Sequence, residues 1–195
     1  RQLREIFRQE LDKNRPDLII LMVGTNDNLN SYNLVPPEEF EKNLTAMAEA
    51  ARASGAELLL CEIPNACQEL MQKRHKADFF RRETAEDKVR RANQIVAAVA
   101  EAQRIPLLKT TEILGKATTD AASLIRNPAN SGNEAGVHPT PNGYFRLADA
   151  IAKPNNGSRS AFSASATASP SAPRSKEPEP PLPTQKPIPA ASPGN

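Results

Sequence analysis

Long apolar runs are missing from this 195-residue chain. No stretch approaches the roughly 20 residues that a membrane-spanning helix needs. An excess of one charge sign is missing too. Lys and Arg total 25 against 23 Asp and Glu, a formal net charge of +2. No basic stripe or basic helix face emerges, which argues against nucleic acid as the main partner. Cysteine is scarce: Cys61 and Cys67 make no disulfide framework. Cys61 ends the run Leu58-Leu59-Leu60-Cys61 and reads as a small buried hydrophobe, and Cys67 reads as a free thiol in a loop. No Cys/His/Asp cluster has metal-ligand spacing, so neither a metal nor any other cofactor is expected. No glycine-rich phosphate loop follows any predicted strand, which counts against a nucleotide-binding domain. The chain opens on Arg1 rather than Met, so a processed, trimmed or fragmentary chain is expected, and the lack of an export signal is uninformative.

Composition divides the chain near Pro154. From there to Asn195, 10 of 42 residues are Pro, and Ser and Ala supply 15 more. So few apolar anchors cannot offset the entropy of ordering the segment. Residues 1–153 are therefore expected to form the folded domain and residues 154–195 a disordered tail or linker with local polyproline character. Pro178, Pro180, Pro181 and Pro183 suit an aromatic groove, but the simpler reading is a spacer that joins a further domain.

Within residues 1–153 the apolar spacing predicts alternating helices and strands. Leu3, Ile6, Phe7 and Leu11 mark a helix over residues 1–15 that Pro16 ends. Residues 17–23 form a continuous apolar run without alternation, so a strand covered on both faces is expected. Pro37 opens a helix lined by Phe40, Leu44, Met47, Ala48 and Ala51, and Gly55 stops it. A second strand spans residues 56–63, and a polar loop with His75 follows from 65 to 83. Thr84 and Asp87 resemble a capping box, with Asp in place of Glu or Gln. The helix behind them carries Val89, Ala92, Val96, Val99 and Ala100 on one side. A third strand covers 105–108 and a short helix is expected near 119–126. Thr140 and Pro141 then start a helix with Tyr144, Leu147, Ala148 and Ile151 facing inward. This order predicts a doubly wound α/β domain with a parallel sheet. Three apolar strands alone would leave the sheet edges poorly protected, so strands belonging before Arg1 are expected.

Two segments have the composition of a reaction site. Gly24-Thr25-Asn26-Asp27-Asn28 follows the first strand, at the sheet end where this fold class places ligands. Gly24 allows a sharp turn, the Asn26 amide suits an oxyanion on an attacked carbonyl, and Asp27 can brace its own loop. An ordinary turn would use the same residue types. The second segment, Gly136-Val137-His138-Pro139-Thr140-Pro141-Asn142-Gly143-Tyr144, puts His138 in a turn before a helix. A histidine so placed is a natural general base, although a surface histidine fits as well.

Taken together and in order, the pair resembles the third and fifth sequence blocks of the SGNH (GDSL-like) hydrolases. Pro37, Phe40, Asn43 and Leu44, and then Gly55-Ala56-Glu57-Leu58-Leu59-Leu60, resemble the segment between them. The resemblance implies a flavodoxin-like three-layer fold, with a serine acyl-enzyme that cleaves esters, thioesters or acetylated sugars. It makes Asn26 an oxyanion donor and His138 the base; Gly24, Thr25, Asp27 and Asn28, in the same loop, are expected to bind substrate. It also requires a Gly-Asp-Ser segment and a second-block glycine, neither of which lies ahead of Asn26, so both are expected upstream of Arg1.

The family acid three residues before the histidine is here Ala135. Its neighbour Glu134 can reach the imidazole from a shifted loop. The other options are a Ser–His dyad oriented by a backbone carbonyl, and a catalytically inactive domain that binds a carbohydrate or a protein. Polar Asn28, Asn30, Ser31, Tyr32 and Asn33 favour a small-molecule or carbohydrate ester over a long acyl chain. His75, within Gln72-Lys73-Arg74-His75-Lys76, reads as solvated surface, with a place in the substrate rim as the alternative.

Overall fold

Apolar side chains spaced three and four apart build the helices of the computed structural model, which describes residues 2–76, 78–126 and 136–153. The order is α1 (Gln2–Asn14), β1 (Leu18–Leu21), α2 (Thr25–Leu29), α3 (Pro37–Ser54), β2 (Glu57–Cys61), α4 (Gln68–Gln72), α5 (Ala85–Gln103), β3 (Leu107–Leu108), α6 (Thr110–Leu114) and α7 (Pro141–Ala152). The strands form a parallel sheet in the order β1-β2-β3. The tail from Pro154 onward, together with Glu134 and Ala135, lies outside the described residues.

Register decides what each sheet face carries. Ile19 pairs with Leu58 and Leu21 with Leu60, so these four side chains share one face. That face packs on Phe40, Leu44 and Met47 of α3 and Val89, Val96 and Val99 of α5, the main core. The opposite face carries Leu59 and Cys61, which meet Leu108, Leu114, Ile125 and Leu147 in a second core under α6 and α7. Helices thus flank a parallel sheet on both sides, the three-layer α/β arrangement expected.

The second layer stops short of β1. Leu18, Ile20 and Met22 are 46%, 48% and 37% exposed on that side, whereas a strand covered on both faces was expected. Tyr144 and Ala148 of α7, also expected to face inward, are exposed, while Leu147 is buried and Ile151 packs on the second core. α1 lies along α3, where the Arg4 guanidinium donates to Asn43 Oδ1 at 3.3 Å and Phe7 joins the main core, while Leu3 and Ile6 stay exposed.

Local chemistry sets the helix ends. The Thr84 hydroxyl accepts from Asp87 N–H at 3.0 Å and the Asp87 carboxylate accepts from Thr84 N–H at 3.2 Å, closing the expected capping box. Gly55 ends α3 at φ 81°. Residues 119–126, expected helical, form turns instead. There Asp120 Oδ1 accepts from Ala122 N–H and Ser123 Oγ accepts from Ile125 N–H, side-chain bonds that compete with a helix.

Candidate active site

The chain leaves β1 and turns at Gly24 into α2. Gly24 has φ 114°, and a Cβ there would stand 2.6 Å from Phe40 Cζ. Both the backbone angle and the close approach of that ring require glycine. The expected open turn is in fact one turn of helix. Asn28, expected at the border of the cleft, is only 2% exposed, and its side-chain amide donates to the Gly24 carbonyl at 2.9 Å. Its observed part is to brace the turn from inside. Asp27 is half-buried, and burial raises its carboxyl above the ordinary range. It is the Asp27 backbone carbonyl, accepting from Val35 N–H at 2.9 Å, that ties the loop down. Thr25 is half-buried at the first position of α2. Asn26 is exposed, and its side chain makes no hydrogen bond with the described residues, so its amide is available above the sheet end.

His138 reaches the same end of the sheet by a different route. Gly136, at φ 71°, lies against the chain that leaves β2: Cys67 N–H donates to the Gly136 carbonyl at 2.8 Å. A Cβ on Gly136 would stand 2.9 Å from Leu70 Cβ and 3.0 Å from Cys67 O. Beyond His138, Thr140 N–H donates to Leu124 O at 2.7 Å, and Thr140 Oγ1 caps α7 by accepting from Gly143 N–H at 3.1 Å. The half-buried imidazole is therefore held from both sides. Burial first, and then the nearby Arg74 charge, hold it below the ordinary histidine range, so the neutral, proton-accepting form dominates at neutral pH.

Asn93 of α5 supports the connection between these segments. Buried at 7% exposure, its Oδ1 accepts from Ile63 N–H at 2.8 Å and its amide donates to Ile63 O at 3.0 Å. That clamp fixes the chain just after β2, which runs on to Cys67.

His75 is not the solvated surface residue that its charged neighbours suggested. Ser31 N–H and the Ser31 hydroxyl both point at Nδ1, at 3.4 and 3.2 Å, and Lys76 N–H donates to that hydroxyl at 3.4 Å. The ring sits among Tyr32, Phe79 and Phe80 at centroid distances of 6.2, 5.9 and 6.2 Å. Burial and then Arg74 lower its pKa as well. Ser31 thereby latches the chain after α2 to the chain after α4. Periodicity carries no signal for this latch, because Ser31 and Tyr32 lie more than 40 residues from His75 in sequence.

Asn26 thus stands at the end of β1, and His138 is pinned to the chain that leaves β2. Both are at the C-terminal end of the parallel sheet, where an amide donor and a neutral imidazole can serve an acyl transfer. Cys61 and Cys67 are free and buried, and burial pushes the Cys61 thiol up to about 11, so it carries no thiolate chemistry at neutral pH. No group of three or more metal-ligating side chains occurs among the described residues.

Comparison with known proteins agrees with this architecture. The chain is similar to a GDSL-like lipase from Bacteroides thetaiotaomicron, with 23% identity over 77% of this chain and 67% of that one, and a TM-score of 0.57. An acylhydrolase-like structure from Bacteroides fragilis gives 22%, 77%, 66% and 0.56 for the same quantities. An acetylxylan esterase from Geobacillus stearothermophilus gives 17%, 77%, 64% and 0.56. The chain therefore spans about two thirds of the length of these structures. No curated protein sequence matches it significantly. The model of the GDSL-like lipase/acylhydrolase family matches residues 1–146, three quarters of the chain, and the chain belongs to that family.

Proposed function

We propose that the full-length protein is a serine-dependent hydrolase of carboxylic esters, with Asn26 as an oxyanion donor and His138 as the general base. What supports this reading is that Asn26, in a braced turn directly after β1, has an unengaged amide, and that His138, in a segment held to the chain after β2, carries a neutral imidazole. In the reaction, a serine oxygen attacks the ester carbonyl carbon while His138 takes the serine proton. The Asn26 amide donates to the carbonyl oxygen as it becomes an oxyanion. His138 then returns the proton to the departing alcohol, and water, activated by the same imidazole, frees the acid.

The serine is assigned to a segment upstream of residue 1. The chain's first serine, Ser31, follows Asn26, and its hydroxyl is engaged by His75. The exposed Leu18, Ile20 and Met22 offer such a segment an apolar face to pack on. Glu134 is assigned to orient His138, in place of the acid that Ala135 lacks. The border beyond α2, with exposed Tyr32 and Asn33, suits a carbohydrate ester better than a long acyl chain. The similarity to an acetylxylan esterase is in keeping with that choice.

A serine-reactive fluorophosphonate, applied to full-length protein and mapped by mass spectrometry, tests the reading. Labelling of one serine upstream of residue 1 is expected. A label on Ser31, or none at all, would count against it. The absence of an acid at Ala135 favours a second reading, an inactive domain that binds a carbohydrate or a protein; that reading predicts no labelling and no turnover.

A further inference from the structure

A series of contacts runs from the Asn26 turn to the His138 segment, and it passes through His75. The Asn26 carbonyl accepts from Asn30 N–H at 3.2 Å, and Asn30 Oδ1 accepts from Tyr32 N–H at 3.0 Å. Ser31, between those two residues, meets His75 Nδ1 through both its N–H and its hydroxyl. His75 N–H donates to Met71 O of α4 at 3.2 Å. At the start of α4, Cys67 N–H holds the Gly136 carbonyl at 2.8 Å, and Leu70 stands 2.9 Å from where a Gly136 Cβ would lie. Gly136 is two residues before His138. Among the described residues, every hydrogen bond between residues 30–35 and residues 68–83 involves Ser31.

The bonding fixes the state of the His75 ring. A backbone N–H can only donate, so the bond from Ser31 N–H requires Nδ1 to accept, and the ring proton sits on Nε2. The Ser31 hydroxyl then donates to Nδ1 while it accepts from Lys76 N–H. The charges around the ring favour this neutral form. Arg74 and Lys76 flank it in the chain, and Lys88 of α5 lies 4.5 Å from the centre of the Phe79 ring that packs on His75. Glu83, the carboxylate of this neighbourhood, is taken up by Lys88 and Arg91, each at 3.2 Å. From the loop after α2 it is the Tyr32 phenol ring that faces His75. A proton on Nδ1 would set one donor against another and open the latch.

We propose that His75, with Ser31, is a positioning residue for the ester hydrolysis: its neutral Nδ1 ties the loop that carries Asn26 to the segment that carries His138. The inference rests on the esterase reading above and adds a residue that acts through those two and touches no substrate.

The test compares His75→Leu and His75→Asn in the full-length protein. Leucine keeps apolar bulk among the rings but removes the acceptor, whereas the asparagine Oδ1 keeps an acceptor near the place of Nδ1. At a pH above the ordinary histidine range, kcat for an acetyl ester should fall about 10- to 100-fold in His75→Leu, the scale of a displaced catalytic group, and return to within about 3-fold of wild type in His75→Asn. Adding Ser31→Ala to His75→Leu should cost nothing more, because both remove one interaction. Asparagine does not titrate, so the ratio of wild-type to His75→Asn kcat should fall as pH drops through the lowered His75 value. Wild-type kcat in His75→Leu, faster turnover by His75→Leu than by His75→Asn, or a ratio that stays flat with pH would overturn the inference while leaving the esterase reading intact. Should wild-type protein neither turn over ester nor take the fluorophosphonate, the esterase reading fails, and hydrogen exchange of the same variants decides whether the tie exists. Amides of residues 26–30 and 136–138 that quicken together in His75→Leu, but not in His75→Asn, would support it. Quickening confined to Ser31 and its immediate neighbours would overturn it.

Discussion

Replacing Gly136 by alanine should cost far more than replacing Gly55, although both glycines have positive φ, 71° and 81°. A left-handed backbone costs an L-residue about 1–2 kcal/mol, and reduced freedom of the unfolded chain returns about 0.4–1 kcal/mol. Nothing lies within 4 Å of a Cβ built on Gly55, so Gly55→Ala should lose only the difference, about 1 kcal/mol. A Cβ on Gly136 meets Leu70 Cβ at 2.9 Å, Cys67 O at 3.0 Å and Cys67 Cβ at 3.1 Å. None of these is the free end of a flexible side chain, and Cys67 is tied to Gly136 by its own N–H. Overpacking of this kind adds about 1–3 kcal/mol, which gives about 2–4 kcal/mol in total. Urea unfolding of the two variants beside wild type reads the difference directly. Equal losses would refute the reasoning, because they would mean that the His138 segment does not press on α4 as described. In the full-length enzyme the same displacement should lower kcat for Gly136→Ala and leave Gly55→Ala near wild type.

Asn93→Ala removes two buried hydrogen bonds and leaves the Ile63 N–H and C=O without their partner, so it should destabilise by about 2–4 kcal/mol in urea unfolding; a loss below about 0.5 kcal/mol would show that water replaces the clamp. His75 and His138 both have pKa values lowered from 6.5, so the unfolded chain binds their protons first. Their contribution to stability should be complete above about pH 6.5 and decline as pH falls through the lowered values. Arg74→Gln should raise both values, read from the imidazole proton shifts in an NMR titration, and unchanged values would remove Arg74 from the site.

Much of this architecture is legible in the residues because local chemistry and packing agree there. The helix from Ala85 shows the point: Thr84 and Asp87 cap it and Val89, Ala92, Val96 and Val99 line its buried side, so cap and stripe give one answer. β1 is different. Its run Leu18-Ile19-Ile20-Leu21 is apolar on both faces, and such a run cannot say whether anything covers the second one. α4 has only five residues, too few for a period, and its buried Leu70 and Met71 look like an isolated pair in a polar stretch. The turn at Gly24 and the cap of α7 at Thr140 were legible because a glycine after an apolar strand and a Thr-Pro helix start are local patterns. Asn28 and His75 were misread because their partners, the Gly24 carbonyl and Ser31 with its neighbouring rings, exist only once the chain has folded.

The central claim is that His138 is the base of an ester hydrolase, and steady-state turnover of an acetyl ester by full-length protein and its His138→Ala variant tests it most directly. The account predicts measurable turnover in the wild-type protein and a fall in kcat by about 10²–10⁴-fold in the variant, the scale of lost general-base catalysis, with the fold intact by circular dichroism. Wild-type turnover that survives His138→Ala unchanged would contradict it.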